Sequence, residues 1–177
     1  NVVGAVAMGE AARCLEEMGM DAVAEHEAHL TRHALLRLQQ IDGVQLYGDS
    51  DPRCCPLRVG VISFGMRGLE HGLVAAILSY EAGIGVRSGC FCAQPYIFSL
   101  LRVPPDEIAH LREEARQGDL RRMPGLVRLS LGCYNTAAEI DAAAEALERI
   151  ARGEVRGRYV QERDGGFRPE GLQIDWG

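Results

Sequence analysis

Short apolar segments that alternate every second residue recur between longer segments with helical periodicity. This interleaving limits the fold of the 177-residue chain more than any other feature. Val44-Gln45-Leu46-Tyr47, Leu57 to Phe64 and Leu126 to Leu131 read as strands, and Gly83 to Arg87 as a short strand or extended loop. Helical patterns cover Gly4 to Met18, with Val6, Leu15 and Met18 as core candidates, and about Asp21 to Gln40, with an apolar stripe through Val23, Leu30, Leu35, Leu36 and Leu38. Further helices are read over Leu69 to Glu81, from Pro104 to about Gln117, and from Thr136 to about Arg152. Few, short strands among amphipathic helices predict an α/β fold class, an α+β sandwich with a small, mostly antiparallel sheet covered on one side by helices.

Local signals set the boundaries. Gly19 reads as a helix stop and Asp21 as the next N-cap. Asp42-Gly43 is a turn, and Gly48 to Pro56 is a polar loop. Pro104-Pro105-Asp106 opens a helix with proline in the first turn, where it is tolerated. Thr136-Ala137-Ala138-Glu139 is a capping box, and Gly153 follows the last helix. Residues 154–177 are polar, rich in Gly and Arg, and end in a lone Trp176. They are expected to be extended and held by docking. No internal repeat is present.

A net charge of −6 argues against a general nucleic-acid binder, whose footprint is basic. No apolar run approaches the roughly 18 residues of a membrane span. No charged-then-apolar leader is seen, so a cytoplasmic location is the expectation. All 19 basic residues other than histidine are arginine, with no lysine. Arginine does not form the amine Schiff base that a carbonyl cofactor requires, so the chain has no lysine with which to anchor one. The pairs Cys54-Cys55 and Cys90-Phe91-Cys92 lack the C-x2-C spacing of a structural zinc site, and no metal site is expected. His26, His29 and His33 lie on one helix among charged neighbours and read as a solvated face.

Three segments carry candidate chemistry. Gly85-Val86-Arg87-Ser88-Gly89-Cys90-Phe91-Cys92-Ala93-Gln94-Pro95 is a loop flanked by glycines and closed by proline. Val127-Arg128-Leu129-Ser130-Leu131 puts Arg128 and Ser130 on one strand face. Tyr134-Asn135-Thr136 is the turn into the last helix and reads as structural. The stretch from Arg87 to Pro95 resembles the R-[ST]-G-x-x-C-A-x-P motif of cysteine desulfurases of the selenocysteine-lyase-like group. The stretch from Arg128 to Asp141 (RLSLGCYNTAAEID) resembles their R-x-S-L-x-x-Y-N-T-x-x-E-[IV]-D motif. The likeness extends over roughly residues 1–150. Cys-Phe stands at positions 90 and 91 where the best-known members have His-His, a form similar to molybdenum-cofactor sulfurases. The segment from Ile97 to Gly125 is longer than in the compact enzymes.

That resemblance implies a fold-type I enzyme of the class V aminotransferase group that uses pyridoxal 5′-phosphate (PLP). Residues 1–152 would be its small C-terminal domain and 153–177 a tail. The large cofactor-binding domain would be absent and the isolated chain inactive. Cys92 would be the catalytic sulfur acceptor, attacking the sulfur of a cysteine–PLP adduct and releasing alanine. Arg128 would bind the substrate carboxylate, with Arg87 assisting. Cysteine or selenocysteine is the implied substrate, a sulfur-acceptor protein a possible partner, and a homodimer the implied assembly. Three alternatives stay open at this point: a class V aminotransferase or epimerase with an incidental Cys92, a non-catalytic interaction module, and a metal-binding domain.

Overall fold

The computed structural model describes residues 1–172. Two helices open the chain, α1 (Val2–Met18) and α2 (Met20–Leu38). The Asn1 side chain accepts a hydrogen bond from the Gly4 amide at 2.9 Å and caps α1. Gly19, at φ 85°, ends one helix and begins the other. Asp21 is therefore not the N-cap that the sequence suggested. It sits in the first turn of α2, where a carboxylate faces the positive end of the helix.

Four strands follow: β1 (Val44–Tyr47), β2 (Val61–Met66), β3 (Arg87–Gly89) and β4 (Leu126–Ser130). They form one sheet in the order β1-β2-β4-β3, with every pairing antiparallel. Helices α3 (His71–Ala82), α4 (Gln94–Leu100), α5 (Pro105–Arg116) and α6 (Ala137–Ala151) complete the main body. The expected α/β class with a small antiparallel sheet is the one observed. The strand expected from Leu57 starts at Val61, because Pro52–Leu57 forms a 3-10 turn capped by Asp51. Arg53 returns to that same carboxylate and holds it at about 2. Pro95, read as the end of a loop, stands in the first turn of α4, a helix the sequence pattern did not mark.

The core lies between one sheet face and helices α2, α3 and α6. Ile62, Phe64 and Met66 alternate inward on β2 beside Val127 of β4. They meet Leu30, Leu35 and Leu38 of α2, Val74, Ile77 and Leu78 of α3, and Ile140, Leu147 and Ile150 of α6. The capping box at the start of α6 is complete, with Thr136 and Glu139 bonding each other's backbone amides. Leu36 of the predicted stripe is exposed, since one residue past Leu35 lies outside the buried arc of the helix. Val6, Leu15 and Met18, expected in the core, are exposed at 69%, 40% and 53%. Their helix has α2 as its main neighbour and projects from the sheet-packed body, so its apolar side chains meet no second layer.

His26 and His33 do not form a solvated face. The His26 ring nitrogen Nε2 donates to the Asn135 carbonyl at 2.9 Å, and His33 Nε2 lies 2.9 Å from Asp141. Both tie α2 to the start of α6, and only His29 of the three is exposed.

The segment after α6, expected to be extended, contains two strands that pair with each other, β5 (Tyr159–Gln161) and β6 (Phe167–Pro169). Trp176 lies outside the described residues. The hairpin packs on α3. A side chain at Gly72 would meet the Gly165 carbonyl at 2.8 Å and the Phe167 ring at 3.1 Å, so the close approach needs glycine there. Glu81 fixes the near end of the hairpin, accepting hydrogen bonds from the amides of Arg156 and Gly157 and the hydroxyl of Tyr159.

Burial pushes the Glu81 carboxyl up, but these donors together outweigh it and hold the group below the usual glutamate range. Burial and the Glu81 charge push Tyr159 up to about 12. A carboxyl with a depressed folded value stabilises the docked hairpin above its unfolded value, and that contribution disappears as pH falls through the folded value. Limited proteolysis within residues 154–172 should therefore accelerate on acidification below the ordinary glutamate range. Glu81→Gln should show fast cleavage already at neutral pH, with little further pH dependence. Equal cleavage of both proteins at neutral pH would contradict the anchoring role.

Candidate active site

The sheet face turned away from α2, α3 and α6 carries the site. Register places Tyr47 opposite Ser63, Ser63 opposite Arg128, and Arg128 opposite Arg87. Four side chains from four strands thus form one row across the sheet, polar throughout and ending in two guanidinium groups. Like charges directly opposite each other on adjacent strands destabilise a sheet. Neither arginine has a carboxylate partner among the described residues. The Arg128 Nε is buried without a hydrogen-bond partner among the described residues, although burying an unsatisfied donor is costly. A planar carboxylate matches the guanidinium fork of such a pair.

Arg128 leans over the Phe91 ring, 5.0 Å from its centroid, an arrangement that favours a cation on the aromatic face. Phe91 and Cys92 both adopt positive φ, 53° and 59°. Non-glycine residues seldom hold this conformation, and two in succession mark a strained loop. The Ala93 amide donates to the Cys90 carbonyl at 2.8 Å and closes a tight turn over Cys90 to Ala93, which lifts Cys92 to an exposed position. Cys90 is half-buried beside it. Gly89, at φ 109°, leads from β3 into this turn.

An open groove of about 390 Å³ runs past Arg87, Ser88, Cys90 and Cys92, with Asp164 and Gly165 of the C-terminal hairpin on its far side. His71, at the start of α3, borders this groove and also a second open pocket lined by Gln45, Tyr47 and Gly65. Its Nε2 donates to the Met123 carbonyl at 3.1 Å, since a carbonyl can only accept. Its Nδ1 is buried with no partner among the described residues. Gly125 lets these parts close up, because a Cβ there would lie 2.6 Å from the Gly89 Cα and 2.7 Å from His71 Nε2.

Of the residues singled out from sequence, Arg87 and Arg128 meet directly across the sheet, and Cys92 sits on the turn whose Phe91 lies under Arg128. Tyr47, Ser63 and His71 escaped the sequence reading. Only inter-strand register reveals the first two, and no local pattern signals it. Cys14, Cys54, Cys55 and Cys133 do not line the groove. Contact with Asp49 and burial push the Cys54 thiol up, and burial does the same to Cys55, which makes both poor nucleophiles at neutral pH. No three His, Cys, Asp or Glu side chains among the described residues converge as a metal site. No helix among them is long and apolar enough to cross a membrane.

Comparison with known proteins adds a second line of observation. Residues 1–143 match the family model described as aminotransferase class-V. The chain is 32% identical over 155 residues to the cysteine desulfurase of Synechococcus elongatus, covering 86% of this chain and 20% of that protein. It is 29% identical over 150 residues to the cysteine desulfurase of an Enterobacter species, covering 85% of this chain and 30% of that protein. The apo cysteine desulfurase of Thermococcus onnurineus superposes with a TM-score of 0.62 at 27% identity, over 80% of this chain and 29% of that one. The chain thus spans less than a third of the length of these relatives.

The facing guanidiniums work against the stability of the sheet. Arg128→Met keeps an unbranched apolar stem on the strand while removing the charge, its contact with Phe91 and the buried donor. We expect it to stabilise the chain by about 1 kcal/mol, read as a higher urea midpoint at low ionic strength. An unchanged or lower midpoint would mean that Arg128 is already satisfied.

Proposed function

The chain belongs to the aminotransferase class-V family, and from that premise we propose that it is the substrate-side part of a PLP-dependent cysteine desulfurase. In this reading, residues 1–152 are the small domain of a protein whose cofactor-binding domain lies outside this chain. The carrying observation is the Arg87–Arg128 pair, which has no carboxylate partner among the described residues, beside a strained turn that holds Cys92 exposed. The donor set suits a substrate carboxylate. With no lysine in the chain, the covalent anchor for the cofactor must come from elsewhere in the whole protein. When bound there, PLP supplies an electron sink for the substrate's α-carbon.

The residues of this chain perform the remaining tasks. Arg128 donates two parallel hydrogen bonds to the substrate carboxylate, and the Phe91 ring beneath it fixes the plane of the fork. Arg87 adds a second positive charge on the same face and draws an anionic amino acid end into place. Cys92, as thiolate, attacks the sulfur of the bound cysteine. A bond forms between Cys92 Sγ and that sulfur, the substrate carbon–sulfur bond breaks, and its electron pair returns to the carbon. The sulfur remains on Cys92 as a persulfide and the carbon skeleton leaves as alanine. An aminotransferase of the same fold needs the carboxylate fork but no thiol, so the positive φ at Cys92, which costs stability, favours the sulfur chemistry. A cytoplasmic, homodimeric parent that passes its sulfur to an acceptor protein completes the proposal, and the isolated chain is inactive.

In the PLP-loaded parent protein, Cys92→Ser should reduce sulfide release from cysteine by on the order of 10²-fold or more, since it removes the atom that forms the new bond. Unchanged release would sink the desulfurase reading in favour of an aminotransferase with an incidental thiol. Arg128→Lys should raise KM for cysteine by about 10- to 100-fold, the equivalent of losing a charged hydrogen bond of about 1.5–3 kcal/mol. An unaltered KM would remove Arg128 from carboxylate binding.

A further inference from the structure

Cys90 belongs to the same turn and the same groove as Cys92, and its position gives it a role of its own. The turn from Cys90 to Ala93 is closed by the 2.8 Å bond between the Ala93 amide and the Cys90 carbonyl, with both central residues at positive φ. Cys90 and Cys92 are its first and third residues, two Cα steps of about 3.8 Å folded on each other. Two such steps folded into a turn can bring the Cα atoms inside the roughly 4.4–6.8 Å window a disulfide requires. Both cysteines line the groove. Among the six free cysteines, only these two share a turn at the site, since Cys54 and Cys55 lie on the 3-10 segment, Cys14 on α1 and Cys133 on the turn before α6.

We propose that Cys90 is a resolving thiol that discharges a persulfide on Cys92 as hydrosulfide. The step rests on the desulfurase reading for the origin of the sulfur and deepens it. Cys90 Sγ loses its proton to solvent and attacks Cys92 Sγ. The Cys90–Cys92 disulfide forms, the bond between Cys92 Sγ and the terminal sulfur breaks, and that sulfur leaves with the bonding pair and takes up a proton. The two protein thiols are oxidised by two electrons and the departing sulfur is reduced by two, so no outside oxidant enters. A disulfide across so short a loop is strained, and strained disulfides are readily reduced. An external thiol of the glutathione or dithiol class therefore reopens it and restores both cysteines. With Cys90 present the site can release free sulfide without a protein acceptor. Cys90 competes with any acceptor for the persulfide.

Loading the sulfur chemically separates this step from the activity of the parent protein. The reduced 177-residue chain is treated with sodium tetrasulfide, quenched by alkylation at intervals, and mapped by peptide mass spectrometry. The expected product is a peptide spanning Cys90 to Cys92 that is lighter by two hydrogens, with hydrosulfide released in step. Cys90→Ser, and Cys90→Ala as a second variant in case one perturbs the turn, should instead retain one added sulfur on Cys92. That persulfide should last roughly tenfold longer or more, since the intramolecular thiol acts at high effective concentration. A persulfide on wild-type Cys92 as long-lived as in both variants would overturn the proposal. A bridge from Cys92 to Cys133 or any other cysteine in place of Cys90 would overturn it too. If the bridge forms as expected while Cys92→Ser leaves sulfide release by the parent unchanged, the desulfurase reading fails and the thiol chemistry of the turn stands.

Discussion

The register between β2 and β4 is the constraint on which the rest depends. Phe64 pairs with Val127 and Ser63 with Arg128, so each adjacent pair of residues sends one side chain to the helices and the other to the open face. A slip of one residue would turn one of the two strands over, either burying Arg128 on the helix side or exposing Phe64. Both the transfer of Phe64 out of water and the penalty for an unpaired buried guanidinium oppose that slip. The core and the site are thus specified by the same pairing. Locking Phe64 against α2, α3 and α6 is what brings Tyr47, Ser63, Arg128 and Arg87 into one row.

Around that row the molecule departs from what stability alone favours. Two arginines are paired across adjacent strands, a buried Nε has no partner among the described residues, and Phe91 and Cys92 hold a backbone conformation that glycine adopts more readily. These departures are adjacent in space, although they arise on separate segments. Neighbouring elements hold them in place: β3 ends directly before the turn, α4 begins directly after it, and Gly125 allows the β4 end to approach Gly89 within contact. A rigid surround is what allows strain to persist at a site, and clustered strain of this kind is characteristic of sites that bind and react.

Features governed by near neighbours in the chain were legible in the sequence. The capping box at Thr136 and Glu139, the helices α3 and α5 and the strand around Arg128 all rest on short-range patterns. Features governed by distant partners were not. Val6, Leu15 and Met18 show helical spacing, but spacing does not say whether a second layer covers the face they make. The histidines of α2 read as solvated until α6 is laid beside them. The hairpin after Gly153 depends on Glu81 gathering donors from a remote segment, and nothing in its Gly- and Arg-rich composition signals that. Of the site, Cys92, Arg87 and Arg128 were found through a motif likeness, whereas Tyr47, Ser63 and His71 emerge only from register and packing.

The choice of arginine for this row has a further consequence. Arginine as a residue type remains charged throughout the pH range in which proteins fold. A lysine placed in the same desolvated row, beside another cation, would shed its proton far more easily and would itself be a nucleophile. With arginine on the sheet and sulfur on the turn, charge and nucleophilicity are assigned to separate groups on separate elements. In the proposed function, the carboxylate end of a substrate is then oriented by atoms that do not react, and the sulfur atoms sit where the turn, rather than the sheet, sets their distance.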